Sequence, residues 1–321
     1  MRQFPPSLFL PGHIVHADWS VNPRKRWMAA AELGDDGQYT ASAPQAIRDA
    51  GLFMLTLLNA AENCVLIGFD FPIGLPLAYA RKAKINNFLT ALTEFGADGW
   101  TDFYRVASSA EEIGLRRPFY PASPGGKRRA HLTAALGIAD LRRQCDRQTS
   151  ERRAAAEMFW TLGAQQVGKA AISGWQELLA PAVKLGSVVP LSIWPFSGTF
   201  DALLKPGRVV ACEAYPGEFY GHLDVRFPAK TSKRRQVDRA ANAPALLAFA
   251  DKVGIRLDPA LHNAIVDGFG KDTFGEDRFD SLVGLFGMLN VALGYRAPGE
   301  PRAPEIQQIE GWILGMANEH F

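Results

Sequence analysis

The stretch Cys64–Pro72, CVLIGFDFP, decides the fold. Six residues without a charge run into Asp70 and are stopped by Pro72, the signature of a strand buried on both faces. A strand of that kind lies parallel to its neighbour and is reached through a crossover helix. The preceding segment supplies the helix: after Pro44 the apolar residues Ile47, Met54, Leu55 and Leu58 recur at helical spacing, which predicts a helix to about Ala60. Further upstream, His13–Trp19 (HIVHADW) reads as a strand, with Ile14, His16 and Asp18 on one face and Val15, Ala17 and Trp19 on the other. A turn at Ser20–Lys25, holding Asn22-Pro23, returns the chain through a strand at Arg26–Leu33. Asp35-Asp36-Gly37 then turns it toward a short third strand around Tyr39. Three antiparallel strands, a helix and a buried parallel strand account for the first 76 residues.

From about Leu77 to Phe200 helical periods dominate, broken by prolines and glycines at 121–126 and by Pro181, with a strand expected at Ser187–Trp194. Strand character returns at Arg208–Ala214 (RVVACEA), where Val209, Ala211 and Glu213 share a face and Pro216 closes the run. Helices are expected at Gln236–Val253, Pro259–Gly268 and Gly275–Leu293. The expected organisation is an α/β core whose N-terminal half is 1–76, a mostly α-helical insertion at 77–200, and the C-terminal half of the core at 201–321.

The 321 residues are 47% hydrophobic and 21% charged, which excludes a disordered chain, a coiled coil and a collagen-like fibre. Cys64, Cys145 and Cys212 form no CxxC pair, so neither a disulfide framework nor a thiolate zinc site is expected, and a reducing cytoplasm fits best. Met1–Leu10 lacks the order of a secretion signal, and the longest apolar run, Gly51–Ala61, falls far short of the roughly 20 residues that cross a bilayer. No membrane partner is expected. The net charge of +2 conceals a segregation. Arg105–Arg153 holds eleven Lys or Arg against five Asp or Glu, a balance of +6, and Arg226–Arg239 has a balance of +5, leaving −9 for the rest. Such a chain can hold a polyanion at one surface and keep carboxylates for another task, although solvated helix faces give the same pattern.

Five acids stand where an apolar pattern does not place them. Asp18 lies inside the first strand, Asp70 ends the buried one, Glu213 lies in the later strand, and Asp277 and Asp280 open the last helix. Carboxylates are rare in buried strands unless paired or metal-bound, because desolvating one costs several kcal/mol. Alone, each has an ordinary explanation: a loop cap for Asp70, a first-turn acid for Asp277, an arginine partner for Glu213. Together they converge if the strands lie side by side and the last helix crosses them, and their repulsion then calls for cations. The spacing i, i+3 puts Asp277 and Asp280 on one helix face, continued by Gly284 and Gly287, which lets that face lie close to a sheet. Leu282, Leu285, Phe286 and Leu289 anchor the opposite side. Oxygen donors alone suit Mg²⁺ or Mn²⁺ rather than zinc.

This order of strands, helices and acids resembles the RNase H-like superfamily, including RuvC-like resolvases. More narrowly, FDFPIGLP (69–76), LRRQCDR (141–147), CEAYPGEFY (212–220), PAKTSKRR (228–235) and DRFDSLVG (277–284) resemble a family of predicted nucleases catalogued as a domain of unknown function, number 429. The resemblance runs from Asp18 to about Leu293, and D-x-P-I-G-L-P and E-x-Y-P are its specific parts. It implies an RNase H-like mixed sheet, antiparallel hairpin strands plus parallel strands, flanked by helices and carrying a large helical insertion. It also implies hydrolysis of phosphodiester bonds in nucleic acid with two Mg²⁺ or Mn²⁺ ions. Asp18 would bridge the ions, Asp70 and Asp280 would each complete one coordination sphere, and Glu213 or Asp277 would supply a further ligand or orient water.

Lys230, Lys233 and Arg234 follow Glu213 on a proline-containing loop and are candidates for phosphate contacts. Arg142, Arg143 and Arg147 read as one helical stretch with Arg143 and Arg147 at i, i+4, a second candidate clamp; pairing with Asp140, Asp146 and Glu151 is the alternative. The chain has no Walker A loop, GxGxxG, GxSxG or HExxH. His13 and His16 fall on opposite strand faces, and nothing pairs Cys145 with a base. Two further readings stay open: a non-catalytic nucleic-acid or protein-binding module on the same scaffold, and a hydrolase of a small phosphate or nucleotide.

Overall fold

The computed structural model describes residues 9–163 and 167–317. They divide into two units. The first holds the described residues up to Asp70, Pro190–Glu300 and those from Ile313 on; the second holds those within Phe71–Val189 and Pro301–Trp312. In chain order the first unit contributes β1 (His13–Asp18), β2 (Trp27–Leu33), β3 (Tyr39–Ala41), β4 (Gln45–Ala46), α1 (Ala50–Asn59) and β5 (Val65–Phe69). The second contributes α2 (Leu77–Ala83), α3 (Phe88–Glu94), α4 (Arg129–Leu136), α5 (Val167–Gly174) and α6 (Ala180–Lys184). The first resumes with β6 (Leu191–Ile193), α7 (Phe200–Leu203), β7 (Val209–Glu213), α8 (Pro216–His222) and α9 (Gln236–Ala240). It continues through α10 (Ala243–Val253), β8 (Arg256–Leu257), α11 (Pro259–Asp267) and α12 (Gly275–Ala292).

The first unit is α/β, a mixed sheet flanked by helices. Its strands run in the order β6-β7-β5-β1-β2-β3-β8, with β4 paired to β2. β1, β2 and β3 are antiparallel neighbours, whereas β5 lies parallel to β1, β7 to β5 and β6 to β7. All five residues of β5 are buried, as a charge-free central strand requires. The turn between β1 and β2 begins where the Asn22 side chain accepts from the Arg24 N–H.

α12 lies on the sheet face that carries His16 and Gly68. A Cβ at Gly284 would stand 2.2 Å from the His16 ring, and one at Gly68 2.4 Å from Met288 Sδ, so neither position admits a side chain. Gly287, expected to face the sheet as well, instead abuts Phe219 of α8, whose ring would meet its Cβ at 2.1 Å. On the other face, α1 brings Phe53 and Leu57 to a cleft lined by Val15, Met28, Ala30 and Val65. The helical period over Gln236–Val253 forms two helices rather than one. Asn242 breaks it by bonding the Arg226 backbone and the Asp238 carbonyl, and Pro244 starts the second helix where a missing N–H costs nothing.

The second unit packs Phe88, Phe95, Phe103 and Phe119 around the buried Trp175, with ring centroids 5.2–6.4 Å away. The Trp175 indole N–H donates to the Pro72 carbonyl at 2.8 Å. The stretch LRRQCDR is not the α-helix that its arginine spacing predicts. It holds only a three-residue 3₁₀ turn, Gln144–Asp146, because the Asp146 carboxylate turns back to accept the Arg143 backbone N–H. Among the described residues no helix is long and apolar enough to cross a membrane. No disulfide joins Cys64, Cys145 and Cys212, all of which are buried.

Candidate functional site

β1 and β5 end together. Ala17 pairs with Phe69, so the next residues, Asp18 and Asp70, leave the sheet side by side. Alternation puts both on the face of His16 and Gly68, the face that α12 covers. The seating of Gly284 on His16 brings the first turns of α12, with Asp277 and Asp280, to the same end. The carboxyls of Asp18 and Asp70 are close enough for the Asp70 charge to raise the Asp18 pKa. Asp280 is 4% exposed and accepts on both oxygens, from the Tyr220 hydroxyl at 2.5 Å on Oδ1 and from the Lys233 ammonium at 2.5 Å on Oδ2. Lys233 also lies 3.4 Å from Glu276, and Arg234 lies 3.8 Å from the other oxygen of Glu276.

These charges are out of balance. Burial pushes the Asp18 carboxyl well above the usual carboxylate range, and Asp70, Asp280 and Asp277 push it further, against Lys233. Burial and the Asp280 charge lift Asp70 to about 7. Burial lifts Asp277 to about 6, with Lys25 opposing. Burial also disfavours charge on Lys233, but Asp280, Tyr220 and Glu276 together outweigh it and hold the ammonium above its ordinary pKa. Asp18 and Asp70 keep part of their surface in solvent, so the site is open to it. His16 is no part of this chemistry. Burial lowers its pKa to about 4, it is neutral, and its Nε2–H donates to the Ala214 carbonyl at 2.9 Å.

The donor set fits a hard divalent cation: it is all oxygen and mutually repelling, and Asp277 Oδ2 is enclosed without a hydrogen-bond partner. The oxygens are not drawn into a cage. Among the described residues, no three of these carboxylates bring one oxygen each within 4.8 Å of one another.

Not every expected residue joins the cluster. Glu213 is buried and pairs with Phe69 in the ladder, so alternation directs it to the Ala17–Phe69 face, across the sheet from Asp18 and Asp70; its charge still raises Asp70. Lys233 reaches from its loop into the site, half-buried on Asp280, while Lys230 and Arg234 are exposed. The arginines at 142–147 belong to the second unit and are held by acids. Arg143 is fully buried on both oxygens of Asp146, Arg142 pairs with Asp140 and Glu157, and Arg147 with Asp140. Their alternative, neutralised reading is the one this geometry supports.

Three participants escape the sequence reading: Tyr220, Glu276 and Lys25. Tyr220 was within reach, since Pro216 at the first position of α8 is a helix-start signal that carries the chain through Tyr220 one turn later. Compared with protein-family models, with curated proteins and with solved structures, the chain matches none.

Proposed function

We propose that the first unit is a divalent-metal-dependent hydrolase of phosphodiester bonds in nucleic acid, built on an RNase H-like fold and related to the predicted nucleases that its motifs resemble. One observation carries this reading: Asp18 and Asp70 leave adjacent parallel strands side by side, and the Asp280 charge of α12 acts on both. An antiparallel hairpin continued by parallel strands, with a last helix bringing two aspartates across them, supports the fold assignment.

Asp18, Asp70, Asp277 and Asp280 would hold two Mg²⁺ or Mn²⁺ ions. Bound there, the ions supply an activated water and neutralise charge on the phosphate, so neither a histidine base nor a covalent nucleophile is needed. Exposed Lys230 and Arg234 offer cations to the phosphate backbone of the nucleic-acid partner. Three buried cysteines in no disulfide support a reducing cytoplasm as the compartment.

The test is cleavage of labelled single-stranded DNA, duplex DNA, RNA, RNA–DNA hybrid and a branched junction with Mg²⁺ or Mn²⁺, beside Asp70→Asn. Metal-dependent cleavage that falls by about 10³-fold in the variant, a loss of roughly 4 kcal/mol of transition-state stabilisation, is the expected result. No cleavage together with a metal-induced rise in Tm of the wild type alone would move the substrate to a small phosphate. No cleavage and no metal effect would leave a binding module.

A further inference from the structure

Asp280 has both oxygens engaged, by Tyr220 and by Lys233 at 2.5 Å each. A neutral phenol can stay beside a carboxylate that binds a cation, but an ammonium cannot share it without like-charge repulsion. The Lys233 backbone is fixed. The buried Arg239 guanidinium donates to the Lys233 carbonyl at 2.6 Å and to the carbonyls of Gly268 at 2.8 Å and Gly270 at 2.6 Å. The side chain is therefore the part able to leave, and it is 37% exposed. Its outer neighbour, Glu276, is 3.4 Å away and 28% exposed, a second carboxylate to receive it.

We propose that Lys233 is a resident countercation: it holds Asp280 while no divalent ion is present, and an incoming ion displaces its ammonium from Asp280 toward Glu276. The inference rests on the metal reading above and assigns Lys233 a role apart from phosphate contact.

The experiment is calorimetric titration of Mn²⁺ into the full chain and into Lys233→Met, Lys233→Arg and Asp70→Asn, beside melting in EDTA. Lys233→Met is expected to bind the ion about tenfold tighter than wild type, a gain of roughly 1.4 kcal/mol, and to melt lower in EDTA because Asp280 loses its ammonium. Lys233→Arg keeps the competing charge and stays near wild type. In the wild type, Mn²⁺ is expected to speed acylation of Lys233 by a water-soluble active ester, a readout that requires no variant to fold. Equal or weaker Mn²⁺ affinity in a folded Lys233→Met, or labelling of Lys233 indifferent to Mn²⁺, overturns the proposal. If either occurs while Asp70→Asn abolishes binding, the metal site stands and only the role of Lys233 falls. If no form binds Mn²⁺, both readings fall together.

Discussion

Arg143 with Asp146 and Lys233 with Asp280 each join a cation to a buried carboxylate, and the two pairs have opposite characters. In the second unit the charges match one to one: Arg143 Nε and Nη2 meet the two oxygens of Asp146 at 3.1 and 2.9 Å, and Nη1 donates to the carbonyls of Ile73 and Glu310. Nothing is left for a ligand. In the first unit the ammoniums of Lys233 and Lys25 face Asp18, Asp70, Asp277 and Asp280, and burial together with the excess negative charge raises three of the carboxyls. The presence of a cation on a buried carboxylate does not distinguish scaffold from site; the local charge count does.

Breaking the balanced pair has the largest expected effect. Arg143→Met strands the Asp146 carboxylate, and urea unfolding is expected to register a loss of about 3–5 kcal/mol; a loss under about 1 kcal/mol would place the pair among weak surface contacts. Gly284→Ala drives a methyl into the His16 ring and is expected to cost about 1–3 kcal/mol by the same measurement. An unchanged midpoint would mean that α12 can back away from β1.

Asp70→Asn acts on the unbalanced cluster in the reverse sense. The wild-type carboxyl, lifted to about 7, binds its proton more tightly folded than unfolded, so its ionisation weakens the metal-free fold as pH rises. The Tm advantage of Asp70→Asn in EDTA is expected to open from about pH 4, level off above about pH 7, and amount to about 2–4 °C per kcal/mol released. An advantage constant across that range would remove Asp70 from the mutual field. The smallest effect belongs to the rim: Lys230→Ala with Arg234→Ala is expected to flatten the salt dependence of nucleic-acid binding by roughly 1.5 in log–log slope. An unchanged slope returns both residues to solvated surface.

The central strand is legible because burial on both faces erases charge from Val65–Phe69, and Pro72 marks its end. The adjacency of Asp18 and Asp70 follows from two parallel strands that end level. β4 and β8 are two residues each, too short for any periodicity. Pro216 ends a strand and also starts α8, so a reading that takes it only as a stop loses the helix that carries Tyr220. The face of Glu213 depends on its register with Phe69, which no pattern within its own strand contains. Lys233 sits in a basic run that looks solvated, and the carboxylate that holds it lies 47 residues further along the chain.

The close seating of Gly284 on His16 also sets a timetable. β1 leaves the ribosome long before α12, so Asp18 waits for the helix that completes its cluster. A nascent chain that has not yet released α12 carries the strands of the site but not the site. The cluster is therefore a property of the two strands and the helix together, and no shorter run of the chain holds it.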